Sequence, residues 1–278
     1  MFSGIGNGDV YSMRNLTMLM DYYELTMSNG YFEKGFKDKK VVFDMFYRKN
    51  PDNGGFVVSA GLEQLIEYIE NMHFSEEDIE FLRSKGEFSE GFLKYLAGFK
   101  FTGNIDALPE GTICYPNTPL VTVTAPVIEA QLIETMLLLT MNFQSLIATK
   151  ASRICRTAAE SGAIVMEFGA RRAHGGDAAI LGARAAYIGG AAATATVLAD
   201  ERFGVPAIGT MAHSWIQFFD NEYEAFKAYA EVYPDNCTLL IDTYDILNSG
   251  LVNAIRVAKE VLEPAGKRLK GVRIDSGD

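Results

Sequence analysis

The chain is poor in cysteine and in positive charge. Its three cysteines, Cys114, Cys155 and Cys237, lie far apart among 278 residues. An odd number at such spacing makes neither a disulfide framework nor a paired-thiol metal site, and it fits a reducing compartment. Lys plus Arg number 25 against 36 Asp plus Glu, a net charge of -11. That balance excludes a broad polyanion-binding surface, so any phosphate must be gripped locally by few residues. No apolar run reaches the ~18 residues of a membrane span, and the opening MFSGIGNGDVYS has no basic region followed by an apolar stretch. The expectation is a soluble cytoplasmic protein with no nucleic-acid or membrane partner.

What is present is a globular mixture, 48% hydrophobic and 22% charged. At ~150 residues per domain the length allows one large or two modest domains. A globule of this size hides roughly 73% of its unfolded surface, enough for a true core.

Residues 1–125 read as a small α+β domain. VVFDMFY (41–47) and FVVSA (56–60) have strand composition. Helices are expected over 61–72, 75–84, where Ser75 precedes an acidic first turn, and 88–97. Prolines 109, 116 and 119 with Gly111 mark turns between short strands in 103–125. Residues 126–162 carry apolar positions at helical spacing and form connecting helices. Residues 163–278 then alternate short buried-type strands (163–170, 205–211, 238–244, 271–275) with helical segments (176–202, 214–231, 247–262). That rhythm predicts right-handed crossovers and a parallel sheet.

No Gly-rich dinucleotide turn follows the first of these strands, which weakens an open doubly wound sheet. Polar clusters instead follow each strand: Phe168 to Arg172, Gly209 to Ser214, Asp242 to Asp245, and Arg273 to Asp278. Charged groups at the C-terminal ends of parallel strands are how barrel sites are built. A full barrel needs ~250 residues, so the expected class is α/β, an α+β domain followed by the first half of a (β/α) barrel with about four βα units.

Arg171 and Arg172 beside Phe168 suit a planar anion that stacks on the ring and meets a guanidinium fork; the alternative is a surface pair with a core phenylalanine. His213, after a Gly-Thr turn and before a helix near Ser214, could act as base, metal ligand or phosphoryl acceptor, or be structural. His73 and His174 are weaker candidates. Asp242, Asp245, Asp275 and Asp278 crowd two strand ends, and a ribose diol and Mg²⁺ would satisfy them; Asp245 is equally a helix cap. Tyr23 reads by default as packing, and Arg48 as a basic loop residue.

The stretches DYYELTMSNGYF, FYRKNPDNGGFVVSAGLE, MEFGARRAHG, YIGGAAATATVLAD, VPAIGTMAHSW, LLIDTYD and GVRIDSGD resemble, in this order, those of the nicotinate phosphoribosyltransferases. The resemblance spans nearly the whole chain. It implies an irregular type II phosphoribosyltransferase barrel and a homodimer with shared sites. The implied reaction joins nicotinate to 5-phosphoribosyl 1-pyrophosphate in NAD biosynthesis, coupled to ATP hydrolysis and aided by Mg²⁺. His213 matches the phosphorylated histidine, Tyr23 and Phe168 the two ring contacts, and Arg171 the substrate-side arginine. Thr210 and Ser214 fall in the substrate segment, Arg273 and Asp275 at phosphate and ribose hydroxyls, and Arg48 near the pyrophosphate. Asp242 joins the substrate contacts, with Asp242, Asp275 and Asp278 as metal candidates.

Ala192 stands where many of those proteins carry Asp, which favours a carboxylate substrate. The family's glycine-rich phosphate loops have no counterpart before Asp278, so the chain is expected to stop inside the barrel. The alternatives are a nicotinamide or quinolinate relative, or an inactive half-barrel that serves as a binding module.

Overall fold

The computed structural model describes residues 14–277. By compactness the chain falls into two units, one ending at Ala207 and one beginning at Ile208.

The first unit opens with helix α1 (Tyr22–Glu33), strand β1 (Lys40–Met45) and strand β2 (Val57–Val58). Helices α2 (Leu62–Asn71), α3 (Glu76–Ser84) and α4 (Glu90–Ala97) follow. Ser75 caps α3 by accepting the Asp78 amide while the Asp78 carboxylate accepts the Ser75 amide. This reciprocal box satisfies two donors that a helix start otherwise leaves open. Gly61 precedes α2 at φ 108°, and a side chain there would lie 2.5 Å from the Thr140 carbonyl.

Strands β3 (Asn104–Ala107), β4 (Ile113–Cys114) and β5 (Val121–Pro126) come next. β5 runs antiparallel between β1 and β3, pairing Val123 with both Phe43 and Ile105. Val121, Val123 and Ala125 are buried while Thr122 and Thr124 are not, the alternation expected of a half-covered sheet. β2 pairs antiparallel with β4. Helices α5 (Val127–Leu132) and α6 (Glu134–Glu160) are the two consecutive helices that the spacing allowed. Their buried residues join Leu65, Phe92 and Leu93 in the main core.

Strand β6 (Met166–Glu167), helix α7 (Gly176–Ile188), strand β7 (Ala193–Thr194) and helix α8 (Val197–Phe203) complete the unit. β6 and β7 pair in parallel across α7. The expected helix over 176–202 is therefore two helices with a strand between. Gly189 and Gly190 break it: Gly190 takes φ 104°, and a Cβ on Gly189 would sit 2.4 Å from the Ala148 carbonyl. The expected strand at 205–211 is reduced to one parallel bridge, Thr194 to Ala207.

The second unit holds helices α9 (His213–Phe218) and α10 (Glu222–Val232), strand β8 (Thr238–Leu240), helix α11 (Leu251–Val257) and strand β9 (Gly271–Arg273). Wider π turns, Ile246–Gly250 and Ala258–Leu262, flank α11. The expected helix over 214–231 is broken where Asn221 accepts the Glu224 amide and caps α10. β8 and β9 pair in parallel across α11. Gly250 is required there because a side chain would lie 1.9 Å from the Ile241 carbonyl. Phe226, Leu239, Leu240 and Ile241 centre the core.

The class is thus mixed α/β, with two parallel pairs each bridged by helix. Among the described residues no helix is long and apolar enough to cross a membrane.

Candidate active site

The second unit gathers most of the expected groups. His213 opens α9, six residues long, and its imidazole is part-exposed. Nδ1 lies 3.1 Å from Thr243 Oγ1, and Nε2 lies 3.6 Å from Asp275 Oδ2. The Asp275 carboxylate is also paired with the Arg273 guanidinium. Arg273 reaches on to the Met211 carbonyl at 3.2 Å and the Thr210 hydroxyl at 3.5 Å. Four of the predicted residues, Thr210, His213, Arg273 and Asp275, so form one connected network. Ser214 is exposed beside His213.

Asp242 follows β8 and is buried. Its Oδ2 accepts the Asp275 amide at 2.9 Å and the Ser276 hydroxyl at 2.6 Å. Burial pushes its carboxyl up, but the hydrogen bonds from Ser276 and the neighbouring amides outweigh that and hold it below the ordinary carboxylate range. Its Oδ1 is buried without a hydrogen-bond partner. A buried carboxylate oxygen of this kind is suited to a hard cation or a substrate hydroxyl. No group of three or more metal-ligating side chains exists among the described residues. Of the metal candidates, Asp278 lies outside the described residues. Asp245 is a cap, its carboxylate accepting the amides of Leu247 and Asn248.

Beside this network Gly209, Thr210, Met211 and Ala212, with Trp215 and Tyr229, line an open pocket of about 550 Å³.

In the first unit the expected groups are held separately. Tyr23 lies in the first turn of α1 with its ring half exposed, and its hydroxyl donates to Glu134 Oε1 at 2.7 Å. That bond, with burial, raises the phenol well above its usual range and keeps it a neutral donor. Glu24 beside it is fully buried and is pushed up to about 7 by burial, although two bonds from Thr135 favour its charged form. Arg48 sits in an exposed bend after β1.

Phe168 is half-buried just past β6, and Arg171 is exposed in the 3-10 turn Ala170–Arg172. A pocket of about 270 Å³ opens beside that turn, lined by Glu167, Arg172 and His174 against Phe143 and Ile147 of α6. Arg172 and His174, rather than Arg171, face this pocket. His73 bonds the Asn71 carbonyl through Nδ1 at 2.7 Å, a local turn contact.

Three residues that contact expected site groups are not among the candidates: Thr243 and Ser276, which lie within the polar clusters after the strands, and Glu134. The first two are hydroxyls adjoining an Asp cluster, which is a usable signal. Glu134 is separated from Tyr23 by 111 positions and carries none.

Comparison with known proteins places the chain in one family. The family model for the nicotinate phosphoribosyltransferase N-terminal domain matches residues 18–142, and that for the nicotinate phosphoribosyltransferase family matches 164–278. Nicotinate phosphoribosyltransferase of Bacillus subtilis is 47% identical over 266 residues, covering 95% of this chain and 53% of that protein. A nicotinate phosphoribosyltransferase of Mycobacterium tuberculosis is 45% identical over 263 residues, covering 94% and 55%. The chain thus spans about half the length of these relatives. The crystal structure of human nicotinic acid phosphoribosyltransferase superposes with a TM-score of 0.85 at 31% identity, covering 93% of this chain and 61% of that one. A nicotinate-nucleotide pyrophosphorylase from Pyrococcus furiosus gives 0.73 at 27% identity, covering 100% and 61%. With both family models matched in order along the sequence, the chain belongs to the nicotinate phosphoribosyltransferase family.

Proposed function

We propose that this chain carries the substrate-binding half of a nicotinate phosphoribosyltransferase, which joins nicotinate to 5-phosphoribosyl 1-pyrophosphate and releases nicotinate mononucleotide and pyrophosphate, driven by ATP. The observation that carries this reading is the set Thr210, His213, Arg273 and Asp275, linked within one unit. In this reading residues 1–125 form an α+β domain, 126–162 connecting helices, and 163–278 the first half of a type II barrel. The two parallel pairs support the barrel, since each is a βαβ unit.

His213 takes the γ-phosphoryl of ATP on an imidazole nitrogen, ADP leaves, and water later releases phosphate. The phosphorylated ring would set a dianion beside the Asp275 carboxylate, now 3.6 Å from Nε2. Like-charge repulsion there favours turning Asp275 toward a hydroxyl donor and freeing Arg273 for a phosphate, which couples ATP to the phosphoribosyl site. Asp275 holds the ribose diol and Arg273 the 5-phosphate. Tyr23 and Phe168 sandwich the pyridine ring, Tyr23 from the partner subunit of a homodimer, while Arg171 meets its carboxylate. Thr210 contacts both nicotinate and the donor, Ser214 joins it in binding substrate, and Arg48 offers a cation to pyrophosphate. The ring nitrogen attacks the anomeric carbon as pyrophosphate departs. No general base is needed, because that nitrogen carries no proton. The residues supply position and charge.

Asp242 and Asp275 would hold Mg²⁺, and the buried, unpartnered Oδ1 of Asp242 fits that role. The chemistry a bound Mg²⁺ supplies is neutralisation of pyrophosphate charge. Low cysteine use fits a cytoplasmic setting.

The test is pyrophosphate release with 5-phosphoribosyl 1-pyrophosphate, ATP and Mg²⁺ present. Release that requires nicotinate supports the reading. Release with nicotinamide or quinolinate instead moves the chain to a different pyridine substrate, and none with any of the three leaves a binding module.

A further inference from the structure

Glu167 ends β6 and directly precedes Phe168, and both of its carboxylate oxygens are engaged. Oε1 accepts the Gly169 amide at 2.5 Å, and Oε2 accepts the Thr194 hydroxyl at 2.7 Å. Thr194 is fully buried, ends β7, and its hydroxyl oxygen in turn accepts the Thr196 amide at 3.0 Å. The Glu167 carbonyl accepts the Ala195 amide at 2.9 Å. One residue thus ties two strand ends together and folds back the turn that bears Phe168 and Arg171.

Gly169 shows how closely the backbone is drawn in. A Cβ there would lie 2.8 Å from Glu167 Oε1, so the carboxylate occupies the space that a side chain would need. Electrostatics bear on the same point. Glu167 shares a pocket wall with Arg172 and His174. A bare carboxylate there would repel an acidic ligand, whereas donors on both oxygens spread its charge.

We infer that Glu167 is a positioning residue for the binding of an aromatic acid: it sets Phe168 and Arg171 through Gly169 and Thr194 and touches no reacting atom. The inference rests on the nicotinate reading above. Glutamine at this position keeps an acceptor for the Gly169 amide only by turning its NH₂ toward Thr194, whose hydroxyl must then accept rather than donate, so both charge-assisted ties become weaker neutral ones. Substrate contacts made through the turn should weaken, while contacts to the phosphoribosyl donor should not.

The test compares wild type, Glu167→Gln, Thr194→Val and the double variant in the full chain. Glu167→Gln should raise KM for nicotinate about tenfold and leave KM for 5-phosphoribosyl 1-pyrophosphate and kcat within about twofold. Thr194→Val should shift nicotinate KM in the same direction, and the double variant should be no worse than the more affected single variant, because both act on the same Glu167–Thr194 tie. An unchanged nicotinate KM, or equal rises in both KM values, overturns the inference. Hydrogen exchange at the Gly169 amide supplies a readout without substrate. It should be slow in wild type and fast in Glu167→Ala, and fast exchange in wild type also overturns the inference. A wild type that releases no pyrophosphate with nicotinate defeats the functional reading, while Gly169 exchange still decides whether Glu167 sets the turn.

Discussion

The two units hold their functional groups in different ways. In the second, Thr210 and Asp275 are both hydrogen-bonded to Arg273, His213 lies 3.6 Å from Asp275, and Asp242 takes the Asp275 amide. In the first, Tyr23 is fastened to Glu134 in one place and the Phe168 turn to Glu167 in another. The first unit's strongest polar network is instead structural. Buried Arg184 of α7 pairs with Glu110 at 2.6 Å and with Glu63 of α2, and it donates to Gln144 of α6 at 3.3 Å. Charge in the first unit locks helices together, whereas charge in the second links the groups proposed to meet substrate phosphates and hydroxyls. Removing a charge should therefore cost stability in the first unit and coupled function in the second.

The largest expected effect is on Arg184. Arg184→Ala leaves the part-buried Glu110 without a cation and with only the Gly61 and Leu62 amides as donors; burial pushes this carboxyl up, and Arg184 together with those amides holds it below its usual range. Breaking such a pair costs about 3–5 kcal/mol. Denaturant unfolding read by amide exchange in α2 and α7 should show it. A loss under about 2 kcal/mol, no more than is expected for Asp242 in the second unit, would mean that the first unit's charges are no more structural than the second's.

Next comes a pH dependence in the first unit. Glu24 is raised from 4.5 to about 7. A raised carboxyl contributes stability at low pH, and that contribution is lost as pH climbs from about 4.5 through 7. The loss should reach about 3 kcal/mol, and Glu24→Gln should flatten the curve over that window. A curve that keeps its slope in Glu24→Gln would place the titrating group elsewhere.

Asp242→Asn replaces a charged acceptor of two hydrogen bonds and should cost the second unit about 2 kcal/mol. The opposite sign of linkage applies here. The Asp242 carboxyl is held low, so its contribution is present above the ordinary carboxylate range and fades as pH falls through its lowered value. Acid unfolding of Asp242→Asn should begin at the same pH as wild type if that reasoning fails.

The smallest effect separates a network from a set of neighbours. A stability cycle between His213→Asn and Asp275→Asn should return a coupling of about 0.5 kcal/mol or more, since the groups are in contact. Strict additivity would reduce the network to proximity.

Much of this was legible in the sequence where side-chain chemistry is local. Ser75 and Asp78 mark the start of α3 on sight, and β1 falls within one or two residues of VVFDMFY. The polar clusters after the strands stand out because Arg, His and Asp are costly to place in a core. What was not legible depends on distant partners. GGAAATAT has a helical composition, and it is the backbone of Ala148 and the side chain of Ala151, some forty positions earlier, that leave no room for a Cβ at Gly189, while Gly190 at φ 104° ends α7. Thr243 beside His213, Thr194 beneath Glu167 and Glu134 against Tyr23 are separated by 30, 27 and 111 positions. No period or motif links such pairs.

The most direct test is to incubate the protein with ATP labelled in the γ-phosphoryl group and map the label. The expected result is one acid-labile, base-stable phosphate on His213 that is absent from His213→Ala, together with loss of ATP stimulation in that variant. Label that persists in His213→Ala, or ATP stimulation that survives it, would contradict the role given to His213 and with it the coupling through Asp275 and Arg273.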